Sequence, residues 1–439
     1  MEQRRAFCGR ANMPPPAAAP RVEKRHRFTR FFANLGPGLI TGAADDDPSG
    51  ISTYSVAGAA FGYAPLWTAL FSFPLMSAVQ LMCARLGLVT GLGLAGVIRR
   101  RCPRWVLWGA CLLLVLANVI NIAADLGGMA EATTMVTGAP QGLWLPLYAA
   151  VIGALLFWTS YRRIAQIFKW LTLVLVAYVI TAFVAHVDWK LALRSTLIPH
   201  LEWSRSFFSV LVAIFGTTIS PYLFFWQAAQ EVEEERAMGR NLAKRRGATP
   251  DELRACRTDV LSGMFASNAI MYFIITTTAA TLHAHGTIRI GTASEAAEAL
   301  RPLAGAGAYW LFTLGLIGTG MLAVPVLAGS CAYAVSEAAA WRGSLNRRPD
   351  RAKKFYMVLA AAMALGLALD YAGLDAIKLL FTTAVINGVL APPLVLIIVL
   401  LTGDRSVMGD GVNSRVVASL GWLTFIVMTA AAVGLLFAS

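Results

Sequence analysis

Asp45, Asp46 and Asp47 stand in a row inside an otherwise apolar stretch, Gly36 to Gly62, and run directly into Pro48-Ser49-Gly50. Carboxylates suit protons, water and hard cations. In a bilayer each costs at least roughly 2.5 to 3.5 kcal/mol on insertion scales, so three of them beside a helix breaker point to a cation site. A second segment, Gly216-Thr217-Thr218-Ile219-Ser220-Pro221, sets small hydroxylic residues before a proline in the same way. Proline donates no backbone hydrogen bond and collides with the preceding turn, so each helix is expected to unwind there. Asp47 leads as the ion ligand. Successive helical residues point about 100° apart, so Asp45 and Asp46 are expected to diverge from it, one toward the ion's water shell and one toward a neighbouring helix. Their carbonyls can contribute as well. Thr217 and Ser220, three apart, share a face and are expected as ligands or partners of the ion's water. The plain alternative is hydroxyl bonding back to the preceding turn.

Three further polar positions fall inside apolar runs. Asn121 and Asp125, four apart, form one polar stripe, either a hydrogen bond between helices or part of an ion path. Gln227, one turn and a half after Pro221, is a candidate lining of the cytoplasmic exit or an interfacial residue.

The elements that must hold these residues are membrane helices. The chain has 439 residues, 57% of them hydrophobic and 14% charged, with a mean hydropathy of +0.62, which excludes a soluble protein of this size. Eleven apolar runs are long enough to cross a hydrocarbon core of about 30 Å. They are 37–60, 64–86, 105–135, 143–160, 163–186, 206–230, 257–283, 308–338, 354–373, 376–402 and 414–437. With the amino terminus in the cytoplasm, thirty of the 37 basic residues fall on the cytoplasmic side and six on the other. The net charge of +13 is therefore an insertion signal and not a nucleic-acid footprint, and an odd number of spans puts the carboxyl terminus outside. A multi-pass protein of the cell membrane follows, in contact with membrane lipid and with no obligate protein partner indicated.

Residues 1–32 read as a disordered basic cytoplasmic tail with no signal-peptide core. The six cysteines lie in spans or on the cytoplasmic side, so no extracytoplasmic disulfide is expected. The charged stretch from Glu231 to Arg257 reads as a cytoplasmic helical loop broken near Gly247 to Pro250, and His283 to Gly307 as a polar extracytoplasmic loop. The two interrupted spans are the first and the sixth. Five is odd, so a second block of five spans enters from the opposite face, and matched breaks imply an inverted repeat, 33–186 against 206–402, with 403–439 an additional helix. In such proteins the unwound segments meet near the bilayer midplane, where non-helical backbone lines a cavity.

The run Gly36-Pro37-Gly38-Leu39-Ile40 leading to Asp47-Pro48-Ser49-Gly50, then Ala60-Phe61-Gly62-Tyr63 and Ala84-Arg85-Leu86-Gly87-Leu88-Val89-Thr90-Gly91, resembles the NRAMP family of divalent metal transporters. The resemblance covers most of residues 33–402. It implies a LeuT-type 5+5 inverted repeat and alternating access, with the metal as transported substrate and no cofactor. It places Asp47 at the family's metal-binding aspartate and Gly50 where the family has a metal-binding asparagine. Thr217 falls at the position that supplies a backbone carbonyl, and Ser220 replaces a methionine thioether. Asn387 occupies the region of a site-proximal glutamine on helix ten, behind the ligands or along the ion path. Losing the thioether leaves hard oxygen donors that suit Mg²⁺ and Mn²⁺, a pattern similar to the NRAMP-related magnesium transporters. Tyr222-Leu223 follow the second proline where the family has a histidine, and of the acid pair on helix three only Asp125 remains, so coupling to protons is expected to be weak or absent. The alternative is a proton-coupled Mn²⁺/Fe²⁺ symporter. An amino-acid carrier of the same fold conflicts with three acids at the break. An enzyme conflicts with the lack of H-E-x-x-H, of G-x-G-D and of a serine elbow.

Overall fold

The computed structural model describes residues 36–159, 173–239, 247–372 and 375–438. The basic tail 1–32, with Cys8, and residues 163–172 of the fifth run lie outside the described residues. Every described element is helical.

In chain order the main helices are α1 (Pro37–Asp45), α2 (Pro48–Phe61), α3 (Trp67–Thr90), α4 (Leu94–Arg101), α5 (Arg104–Thr137), α6 (Gln141–Trp158), α7 (Val176–Val184), α8 (Trp189–Leu197), α9 (Arg205–Thr218), α10 (Pro221–Ala237), α11 (Pro250–Thr281), α12 (Ala308–Ala338), α13 (Lys353–Asp370), α14 (Ala376–Gly403) and α15 (Arg415–Phe437). Each of the eleven apolar runs contains helix. Among the described residues eight segments are long and apolar enough to cross a membrane by themselves. The first run is cut into pieces of 9 and 14 residues, too short to span singly. The connection after α11, expected as a loop, holds short helical turns at Ala293–Ala297 and Arg301–Ala304. It is tied down where the Ala293 N–H donates to Glu131 on α5 at 2.8 Å.

Local chemistry explains both breaks. The residue before a proline is pushed out of the helical region, and Asp47 (φ −69°, ψ 171°) and Ser220 (φ −76°, ψ 131°) are both extended. Pro48 and Pro221 then occupy the first helical position, where a missing N–H costs nothing. The residues that close the preceding helices match as well: Asp46 at φ −85°, ψ 49° and Ile219 at φ −121°, ψ 55°. Two segments five crossings apart thus share one backbone path.

Glycines bring these broken helices against their neighbours. A methyl group on Gly38 would lie 2.6 Å from the Val260 nitrogen of α11, and one on Gly42 would lie 2.7 Å from the Gly263 Cα. On the other side of the molecule α9 meets α14, where a methyl on Gly216 would fall 2.9 Å from the Gly388 Cα. Without a hydrophobic drive between helices in lipid, such backbone-to-backbone approach is what packs them. Helix α15 lies against α14, α9 and α3. Segments expected on one side of the membrane also touch: the Arg85 guanidinium at the end of α3 donates to the Gly411 and Val412 carbonyls between α14 and α15, at 2.9 and 3.0 Å.

Candidate metal centre

The two breaks face each other. The Tyr222 hydroxyl, one residue past Pro221, donates to the Ala44 carbonyl at 2.9 Å and lies 3.4 Å from Asp47 Oδ2. The Thr217 hydroxyl reaches the Tyr54 hydroxyl of α2 at 3.1 Å. Asp45, Asp46, Asp47, Thr217 and Ser220 are each no more than 5% exposed, so the junction is closed to solvent in this state.

Asp47 is the hub. As N-cap of α2 its Oδ1 accepts from the Gly50 N–H at 2.8 Å and from the Ser49 hydroxyl at 2.6 Å. Its Oδ2 accepts from Asn121 Nδ2 of α5 at 3.0 Å. Gly50 thus presents a donor to Asp47 and brings no side chain of its own. Asp45 and Asp46 turn the other way, toward α11. The Ser267 hydroxyl lies 2.6 Å from Asp45 Oδ2 and 3.1 Å from Asp46 Oδ1. A single hydroxyl proton cannot serve both carboxylates, and Asp45 Oδ1 has no hydrogen-bond partner.

Asp125, one turn beyond Asn121 on α5, is fully buried and has the Ser49 backbone N–H beside its carboxylate. The Asn121 carbonyl oxygen is unpartnered. Among the described residues none of these four aspartates pairs with a Lys or Arg. Buried anions without a side-chain cation leave room in the charge balance for a positive guest.

The second break contributes hydroxyls and carbonyls. Ser220 Oγ lies 2.7 Å from the Gly216 carbonyl and 2.6 Å from the Thr217 carbonyl, and Thr217 also reaches the Ile214 carbonyl at 3.0 Å. Both hydroxyls therefore bond back to their own turn, and their oxygen lone pairs stay available to an ion. Thr218 bonds only back, to Ile214 at 2.8 Å. Asn387 is buried on α14, one residue before the Gly388 contact with α9. Gln227 stands apart from this junction: its Oε1 accepts from the Thr41 hydroxyl at 2.5 Å and its Nε2 donates to Glu231 at 2.9 Å, tying α1 to α10 below the break. Among the described residues no three His, Cys, Asp or Glu side chains converge as a preformed metal cage. The donors instead are carboxylates, carbonyls and hydroxyls drawn from α1, α2, α5, α9, α10 and α11.

Local spacing did not single out three of these partners. Tyr222 was legible only as the residue after a break proline, and Ser267 only as part of a polar Ser-Asn pair in an apolar run. The third, Asp259 of α11, accepts from the Gly38 N–H at 2.6 Å and from the Leu39 N–H at 3.3 Å, capping the start of α1 from 220 residues away.

Comparison with known proteins agrees with this architecture. The family described as natural resistance-associated macrophage protein-like matches residues 38–438. The "Divalent metal cation transporter MntH" of Deinococcus radiodurans is 26% identical over 415 residues, covering 91% of this chain and 88% of the relative. A relative of the same name from Yersinia pestis is 27% identical over 402 residues, covering 90% and 92%. Among solved structures, the Eremococcus coleocola manganese transporter superposes with a TM-score of 0.73 at 20% identity, over 94% of this chain and 87% of that one. MhsT in complex with L-phenylalanine, a LeuT-fold protein, does so at 0.57 and 13%, over 92% and 97%. The polypeptide is thus a LeuT-fold membrane transporter and no enzyme, and it belongs to the NRAMP family.

Proposed function

We propose that this chain carries a divalent cation, Mg²⁺ or Mn²⁺, into the cytoplasm by alternating access, through an oxygen-lined site between the α1/α2 and α9/α10 breaks. The observation that carries this reading is the closed junction at which Tyr222 meets Ala44 and Asp47 among carboxylates that, among the described residues, no basic side chain neutralises. A doubly charged ion arriving with part of its water shell would take the Asp47 carboxylate, with carbonyls and hydroxyls of the second break completing its oxygens. Such donors hold hard cations and do little to separate Mg²⁺ from Mn²⁺. The manganese named for the Eremococcus coleocola structural neighbour favours Mn²⁺; the serine in place of a thioether favours the harder ion. The domain reading accompanies this proposal: repeats 33–186 and 206–402, the additional helix after them, and the amino-terminal side facing the cytoplasm.

Uptake of Mn²⁺ and Mg²⁺ into proteoliposomes loaded with a metal-sensing dye is the direct test. Asp47→Ala should abolish entry of both ions while leaving the protein monodisperse and inserted. Uptake at the parent rate in that variant would reject the site.

A further inference from the structure

At the end of the molecule where α3 finishes and α11 begins lies a cavity of about 700 Å³ that the transport reading does not use. Its rim carries three guanidinium groups from two separate segments, Arg100 and Arg101 at the end of α4 and Arg405 after α14, against one carboxylate, Asp410. Between them the lining includes the partly exposed apolar side chains of Val89, Leu92 and Leu253. The segments are locked together where Arg101 donates to the Ser406 hydroxyl at 2.9 Å and to the Ser406 carbonyl. The Ser406 hydrogen bonds first, and the nearby Arg101 charge after them, hold the Asp404 carboxyl below its usual range. Its two oxygens are taken by the Ser406 N–H and hydroxyl, each at 2.7 Å. Among the described residues Arg100, Arg101 and Arg405 form no ion pair.

We infer that this cavity binds the phosphate headgroup of an anionic phospholipid. Guanidinium forks match phosphate oxygens in pairs, and a basic pocket between membrane helices is suited to such headgroups. The partly exposed apolar side chains select the lipid over a free phosphate ion, which gains nothing from Val89 or Leu253. Helix α4 buries Leu94, Ala95, Val97 and Ile98 inside the protein and leaves Arg99, Arg100 and Arg101 exposed at its end, and exposed basic residues flanking a membrane span attract anionic headgroups. The inference is independent of which ion is carried.

The test uses the full chain in detergent, titrated with phosphatidylglycerol, phosphatidylcholine or inorganic phosphate, and read by native mass spectrometry and thermal unfolding. Phosphatidylglycerol should remain bound and raise the melting temperature, and the other two should not. Arg100→Gln with Arg405→Gln should weaken that binding by about thirty-fold, taking about 1 kcal/mol for each basic group near the surface. The pair Arg100→Lys with Arg405→Lys, which keeps the charge and loses the fork, should bind more tightly than the glutamine pair and less tightly than the parent, which separates charge from misfolding. Equal retention of phosphatidylcholine, unchanged binding in the glutamine pair, or equal protection by inorganic phosphate would each overturn the assignment.

Discussion

Each side chain at the junction is defined by what it gives up when an ion arrives. The Tyr222 hydroxyl holds the Ala44 carbonyl and approaches Asp47, so it occupies two of the oxygens that an ion needs. Removing it with Tyr222→Phe keeps the ring and frees both. A neutral hydrogen bond contributes about 0.5–1.5 kcal/mol, so the KM for Mn²⁺ uptake should fall by about twofold to tenfold; an unchanged KM would assign Tyr222 to packing alone. Ser220 makes the complementary prediction. Its hydroxyl bonds to Gly216 and Thr217 inside its own turn, so a longer side chain is free to extend toward the junction. Ser220→Met should add a soft donor there and make Cd²⁺ about tenfold more effective as a competitor of Mn²⁺, with Mg²⁺ uptake reduced. Competition that does not change would remove the case for donor hardness at this position.

At the level of the helix, α1 is held by partners distant in sequence. Asp259 caps its first turn, Gln227 holds Thr41, and Gly38 and Gly42 lie on α11 backbone. A cap is worth about 1 kcal/mol. Asp259→Ala should therefore speed hydrogen exchange at the Gly38 and Leu39 amides by about fivefold while leaving Gly216 to Thr218 unchanged; equal effects on both segments would mean global loosening. Gly263 tests the packing itself. A methyl there would lie 2.9 Å from the Gly38 carbonyl carbon and 3.0 Å from the Leu39 Cα, backbone that cannot rotate away. Gly263→Val is expected to cost about 1–3 kcal/mol and to lower the apparent melting temperature in detergent.

Across the whole molecule, the charge carried decides what drives it. Two positive charges moving inward gain about 4.6 kcal/mol per 100 mV, so uptake needs no second ion to concentrate the metal. Asp125 is the acid that α5 brings close to Asp47, and the residue after Pro221 is a tyrosine and not a histidine. Proteoliposomes holding a pH dye and an imposed negative-inside potential should show Mn²⁺ entry that grows with the potential, with little internal acidification. Acidification in step with metal entry would establish a symporter and set aside the uncoupled reading.

What the linear order of residues determined is local. Apolar runs mark the helices because a bilayer tolerates no unpaired backbone. The Asp47-Pro48 and Ser220-Pro221 steps mark the breaks because proline restricts its own predecessor. Both effects act within a few residues, so helix positions and break points were readable before any fold was known. Partnership across the molecule was not. Ser267 sits between Asp45 and Asp46 across 221 and more intervening positions, Asp259 caps α1 across a similar distance, and Arg101 locks onto Ser406 from 305 residues away. Helical spacing gives a side chain's direction about its own axis, not the neighbour it meets. Those neighbours follow from glycine-lined approaches between distant helices, and only the assembled bundle brings such surfaces together.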